Sequence, residues 1–273
     1  MSTPPPPKPP AGLHPVRVER RPGAGPEDDW VVDEAPLEIR LDGESFAVTL
    51  RTPGSDRELA AGFLLSEGVL RDAADLESVE PCRDPLIHDP DNVVEVRIAD
   101  AARDRNEELD RARRERLAVA ACGLCGKARI EDIFQRCPTL TPLSAPVDID
   151  LLRQLPDRMA PHQRLFEATG GLHAAALFDL EGTLLDIAED VGRHNAVDKL
   201  IGASLLAGRL PWRDRILVVS ARAGFEIVQK AMMARVPVLA AVGAASSLAV
   251  ESAKRGGLEL HSFVRPGRSN RHL

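Results

Sequence analysis

Tyrosine is absent from this chain of 273 residues, and aromatic residues together make up 3% of it. A sheet that reads single-stranded nucleic acid by stacking bases on rings has almost nothing to build with. Cysteine is nearly as scarce: Cys82, Cys122, Cys125 and Cys137 are the only four. That is too few for a disulfide-stapled secreted scaffold and points instead to metal-binding or catalytic thiols in a reducing compartment. No apolar run is long enough to cross a bilayer, and the Pro-rich start lacks the apolar stretch of a signal peptide. No repeat of solenoid period occurs. A net charge of -7 disfavours general affinity for nucleic acid or anionic membrane, so any phosphate-bearing ligand has to be held locally. These absences predict a cytoplasmic protein with neither nucleic acid nor membrane among its partners.

What is present is an ordinary globular composition, 44% hydrophobic and 28% charged, at a length that suits two domains or one large one. Residues 1–29 are proline-rich, with Pro4 to Pro7 contiguous, and predict a disordered, partly polyproline extension. From Trp30 the pattern changes. Pro36 to Leu41 and Ser45 to Leu50 alternate with period two around Asp42-Gly43, a hairpin signal, and a helix is predicted from Asp56 to Glu67 with Gly68 past its end. Strands near 78–81 and 92–98 complete a small α+β domain over residues 30–116. A run of mixed charges between Ala99 and Leu117 reads as a solvated helix or linker. It delivers the chain to a loop over 117–127.

Residues 128–273 read as an α/β domain. Short helices are predicted at 130–135, 148–155 and around 163–168, then a hairpin over 173–180 and 183–188, then a helix capped by Asn195. The last third alternates strand 216–219, helix 225–235, strand 238–242, helix 247–254 and strand 258–264. That order implies parallel neighbours in a mixed sheet with helices on both faces, where ligands gather at the carboxyl ends of the strands.

The one strongly reactive grouping is Cys122-Gly123-Leu124-Cys125-Gly126-Lys127. Two thiols at this spacing serve as a redox dithiol, as half of a metal site, or as a relay in which a thiolate carries a sulfane sulfur. Lys127 and Arg129 close behind favour the thiolate, and the glycines admit a partner closely. A zinc site would need Cys82 and Cys137, because no second Cys-x-x-Cys exists. Elsewhere, Phe263-Val264-Arg265-Pro266-Gly267-Arg268 offers two guanidiniums for phosphates and a ring for stacking, and Arg222 stands at a strand-to-helix turn suited to an anion. The stretch Glu189 to Lys199, with His194 in it, reads as the lining of a site or as a helix cap with surface ion pairs.

Taken together, Glu34-Ala35-Pro36-Leu37, Thr52-Pro53, Gly62 to Gly68, the Cys122 loop, Thr169 to His173, Glu189 to Lys199, Phe225 to Lys230 and Ser246 to Glu251 resemble the formate dehydrogenase accessory sulfurtransferase family, FdhD. The match excludes the Pro-rich extension and departs from the family at Gly224 and in an ending without an aromatic residue. The resemblance implies a sulfurtransferase that takes sulfur from a cysteine desulfurase as a persulfide on Cys122, with Cys125 assisting. It passes the sulfur to the molybdenum bis(molybdopterin guanine dinucleotide) cofactor for formate dehydrogenase. Phe263, Val264, Arg265, Pro266, Gly267 and Arg268, with Arg222 and His194, are the expected ligand-binding set, and no resident metal is expected. Also implied are a homodimer and a C-terminal cytidine-deaminase-like α/β/α domain of three layers. The zinc deaminase signature is missing, since Pro81-Cys82-Arg83-Asp84-Pro85 has no second cysteine, which argues against deamination. Outside the resemblance two readings stay open: a zinc-binding chaperone for a molybdoenzyme, and a thiol-disulfide redox protein.

Overall fold

The structure, a computed structural model, describes residues 12–19, 25–84, 86–103, 137–143 and 146–273. Cys122, Cys125 and the helix expected at 130–135 lie outside these residues. The first strands correct an expectation: β1 (Leu13–Glu19) and β2 (Pro26–Val32) pair antiparallel within the stretch read as a disordered extension. Their polar, proline-containing sequence hides the pairing, which is fixed by the ladder and by packing at its end. A Cβ on Gly12, whose φ is +88°, would touch Thr52 and Leu165.

β3 (Ala35–Leu41) and β4 (Glu44–Arg51) form the expected hairpin, with Asp42 and Gly43 at φ 51° and 83° in its turn. β3 also runs parallel to β6 (Val93–Ile98), which pairs with β5 (Leu76–Pro81), giving the order β4-β3-β6-β5. Helix α1 (Asp56–Ser66) buries Leu59, Leu64 and Leu65 against Leu37, Ile39 and Val96 of this sheet. A single turn, α2 (Asp100–Arg103), follows β6.

The larger unit begins with α3 (Ile149–Met159) and α4 (Arg164–Thr169). Then come β7 (His173–Phe178), β8 (Leu184–Asp190), α5 (Arg193–Leu206), β9 (Ile216–Val219), α6 (Phe225–Met233), β10 (Val238–Ala241), α7 (Ser247–Gly256), β11 (Glu259–Arg265) and β12 (Arg268–His272). The six strands lie in the order β12-β11-β10-β9-β7-β8, with β9, β10 and β11 parallel and the others antiparallel to their neighbours. Alternate residues face opposite ways. Ala176, Phe178, Val218 and Ala240 meet Leu152, Leu155 and Met159 of α3. Ala175, Leu217, Val219 and Leu239 meet Leu200 and Ile201 of α5 and Ile227 and Val228 of α6. The result is the mixed α/β architecture read from the sequence, a sheet between helices on both faces.

Two departures concern helix and strand ends. α5 starts at Arg193 with Gly192 as its N-cap, so Asn195 lies inside the first turn; its amide instead donates to Leu50 O at 2.7 Å and to Asp190 Oδ1 at 3.1 Å. Tertiary acceptors have outbid the local capping role. β12 was invisible in Arg268-Ser269-Asn270-Arg271-His272 because an all-polar edge strand carries no hydrophobic period; its pairing with β11 makes it a strand.

The two units share one hydrophobic core, which runs from the small sheet through α1 to α5, α6 and the six-stranded sheet. At the α1–α5 crossing the backbones touch. A Cβ on Gly62 would lie 1.9 Å from Asp198 O, and one on Gly202 would lie 1.8 Å from Glu58 O.

Candidate functional site

The parallel strands deliver their carboxyl ends to one edge. Ser220 to Gly224 leads from β9 into α6, and Val242 to Ser246 leads from β10 into α7. The segments are laced together: Gly243 N donates to Ala221 O at 3.1 Å, Ala223 N to Ala244 O at 2.9 Å, and Phe263 N to Gly243 O at 3.0 Å. Gly243 is required for this approach, since a Cβ there would sit 3.0 Å from the backbone of Arg222. β7 is antiparallel to β9, so its first residue, His173, comes to the same edge, and Asp190 of β8 lies opposite His173.

On β11 the register shifts between Ser262 and Arg265, and Phe263 adopts a left-handed φ of 52°. This bulge leaves the Phe263 ring exposed while Val264 is fully buried in the core. The Arg268 guanidinium lies over that ring, 5.3 Å from its centroid. Arg222, Arg265, Pro266, Gly267 and Arg268 are all exposed. Of the expected ligand set, then, the edge presents the side chains of Phe263, Arg265, Pro266, Arg268 and Arg222 and the bare backbone of Gly267; Val264 offers only backbone. Such a surface suits an anionic ligand with a flat ring.

His194 is half-buried in the first turn of α5, and its Nε2 lies 2.7 Å from Glu226 Oε2 of α6. The hydrogen bond from His194 holds the Glu226 carboxyl below its usual range, although burial opposes the shift. Burial, with the charges of Arg193 and His194, pushes the His173 imidazole down. Glu226 Oε1 is buried with no partner among the described residues.

Three of the charged residues around His194 lie inside the protein rather than in surface pairs. Asp190, Asp198 and Lys199 are buried with Lys230, to which the sequence assigned no role. Asp190 pairs with Lys199 at 2.8 Å, and Asp198 with Lys230 at 2.7 Å. Ser66 of α1 donates to Asp198 at 2.7 Å. A lysine inside the apolar face Ile227-Val228-Ala231 was the one signal in the sequence that an acid must lie opposite. Glu189 is spent on structure, accepting from the backbone N–H groups of Leu165 and Phe166 at the start of α4. Among the described residues no three His, Cys, Asp or Glu side chains gather as a metal site. No described helix is long and apolar enough to cross a membrane.

Comparison with known proteins gives this arrangement its context. A protein of Streptomyces avermitilis named sulfur carrier protein FdhD is 49% identical over 246 residues, covering 89% of this chain and 86% of that protein. A second of that name, from Anaeromyxobacter dehalogenans, is 46% identical over 267 residues, covering 96% of this chain and 92% of its own. The crystal structure of a putative formate dehydrogenase accessory protein from Desulfotalea psychrophila shares the fold, with a TM-score of 0.71, 23% identity and 95% coverage of both chains. The model of the FdhD/NarQ family matches residues 32–271. With nearly nine-tenths of its length aligned to that family, the chain belongs to the FdhD/NarQ family.

Proposed function

We propose that the protein is a cytoplasmic sulfurtransferase that works through a persulfide on Cys122, receiving sulfur from a cysteine desulfurase. Its acceptor is molybdenum bis(molybdopterin guanine dinucleotide), bound as substrate and destined for formate dehydrogenase. The observation that carries this reading is the similarity, over most of the chain, to proteins named sulfur carriers, with Cys122-Gly123-Leu124-Cys125 inside the matched residues. Thiol chemistry supports it. A thiolate, favoured by the cations Lys127 and Arg129, attacks the outer sulfur of the donor persulfide. The new bond joins Cys122 Sγ to that sulfur, the donor's S–S bond breaks, and the donor leaves as a thiolate that takes up the proton Cys122 gave. Cys125 can later form a disulfide with Cys122 and release the sulfur in reduced form.

The exposed edge supports the acceptor half. Arg265, Arg268 and Arg222 offer guanidiniums to pyrophosphate, and the exposed Phe263 ring offers a face to guanine. The protein is read as a homodimer, and the edge is supplied within one chain. Incubation with a cysteine desulfurase and cysteine, followed by mass spectrometry, should find an added sulfur on Cys122. Persulfide on neither Cys122 nor Cys125, or stoichiometric zinc that disappears in Cys122→Ala, overturns the carrier reading in favour of a zinc-stabilised chaperone. For the edge, Arg265→Ala with Arg268→Ala is expected to weaken GDP binding about 100-fold, two charge-assisted contacts at roughly 1.5 kcal/mol each. Unchanged affinity would remove these residues from the site.

A further inference from the structure

Thr52 belongs to the small sheet's side of the molecule, at the joint between β4 and α1, yet each of its polar atoms is committed to the segment that carries His194. Thr52 N donates to Asp190 Oδ2 at 3.1 Å. Thr52 Oγ1 accepts from Val191 N at 3.1 Å, and Thr52 O accepts from Lys199 Nζ at 2.7 Å. The side chain is fully buried, as are Asp190 and, nearly so, Lys199. Leu50 O, two residues earlier, receives the Asn195 amide at 2.7 Å. After Thr52 the chain turns sharply through Pro53, Gly54 at φ 107° and Ser55 at φ 56°, so the grip sits on a fixed corner.

Toward α6 the start of α5 is tied by the bond from His194 Nε2 to Glu226 at 2.7 Å, and one turn further along by Asp198 to Lys230. In its neutral form a ring that donates from Nε2 to a carboxylate is set in one tautomer and keeps Nδ1 as an acceptor. No described residue bonds that nitrogen. The groups around the pair are His173 at the start of β7, Arg193 beside His194, and Lys230 one turn along α6 from Glu226.

We propose that Thr52 is a positioning residue for the candidate site: by clasping Asp190 and Val191 it sets the start of α5, so that His194 meets Glu226 and its neutral ring keeps Nδ1 as a hydrogen-bond acceptor for a ligand. The guanidiniums of the edge only donate. The ligand class this suits carries anionic oxygens together with an N–H or O–H group. The inference rests on the carboxyl edge being the ligand site, as proposed above.

The substitutions that test it are Thr52→Val, which keeps the buried methyl and removes Oγ1, and Thr52→Ser, which keeps Oγ1. Ring nitrogen NMR of the full-length protein, at a pH high enough to deprotonate the ring, reads His194 without any ligand, and GDP titration reads the edge. In the wild type and in Thr52→Ser a single Nε2–H form of His194 is expected, and in Thr52→Val a mixture of tautomers with GDP bound about tenfold more weakly. An Nδ1–H form in the wild type, or identical His194 signals in the wild type and Thr52→Val, overturns the clasp. Should the wild type bind no GDP while Thr52→Val still disturbs His194, the clasp stands and the ligand reading fails. Glu226→Ala serves as the reference: with the acceptor for Nε2 removed it must produce the same tautomer mixture with Thr52 intact.

Discussion

Asp198→Ala is expected to cost about 3–5 kcal/mol of folding stability, the range for stripping one partner from a buried ion pair. Asp198 is 1% exposed, and both its oxygens accept from Lys230 Nζ, at 2.8 Å and 2.7 Å. It also accepts from Ser66 Oγ at 2.7 Å. Without the carboxylate an ammonium on a side chain only 8% exposed keeps its desolvation penalty and loses its counter-charge. What remains nearby is the Phe63 ring, 5.7 Å from Lys230 Nζ, and the more distant charge of Glu226. A cation–π contact worth about 1 kcal/mol does not replace an ion pair. Denaturant midpoints check this, and the double change Asp198→Leu with Lys230→Met should recover most of the loss, because the pair's cost lies in an unmatched charge. A loss below about 1 kcal/mol in Asp198→Ala would show that water reaches Lys230.

The second large effect is expected at the α1–α5 crossing. Alanine in place of a helical glycine ordinarily gains about 1 kcal/mol in helix propensity. At Gly62 the sign should reverse. The added carbon would stand 1.9 Å from Asp198 O and 2.8 Å from Gly202 N, backbone atoms that no rotamer change can move. The helices have to separate, loosening Leu59, Leu64, Leu200 and Ile201 in the shared core. A net loss of about 3 kcal/mol, the upper end of overpacking penalties, is the expected result in thermal or denaturant unfolding. Gly202→Ala should act alike and the two should not add, since either one already parts the same crossing. A stabilised Gly62→Ala protein would mean that the helices do not touch.

These two effects also mark where sequence reading stops. The Asp42-Gly43 hairpin and the parallel strands near 216–219, 238–241 and 259–265 were legible because each announces itself locally, by a turn that needs positive φ or by a short apolar run between turn signals. Candidate ligand residues at strand ends follow from topology, and Phe263, Arg265, Arg268 and Arg222 share one edge. Asp190, Asp198 and Lys199 were noticed as charged but not as buried. Their partners Thr52, Ser66 and Lys230 are separated from them by 32 to 147 residues, and pairing at that range leaves no local pattern. Glu226, whose partner His194 lies on another helix, carries no local signal for the same reason. β1 and β12 failed differently: polar edge strands owe their existence to a neighbour's ladder, which composition cannot report.

The continuous core has a consequence for how such a protein can be divided. α1 covers the outward face of α5, and Thr52, Ser66 and the two glycines bind the halves through hydrogen bonds and backbone contact as well as through apolar area. A fragment cut between the small sheet and the six-stranded sheet would bare an apolar helix face and leave Asp190, Asp198, Lys199 and Lys230 half-solvated. The six-stranded unit is therefore not a transplantable module. Exchange of one sheet for that of another protein is expected to cost the fold its stability.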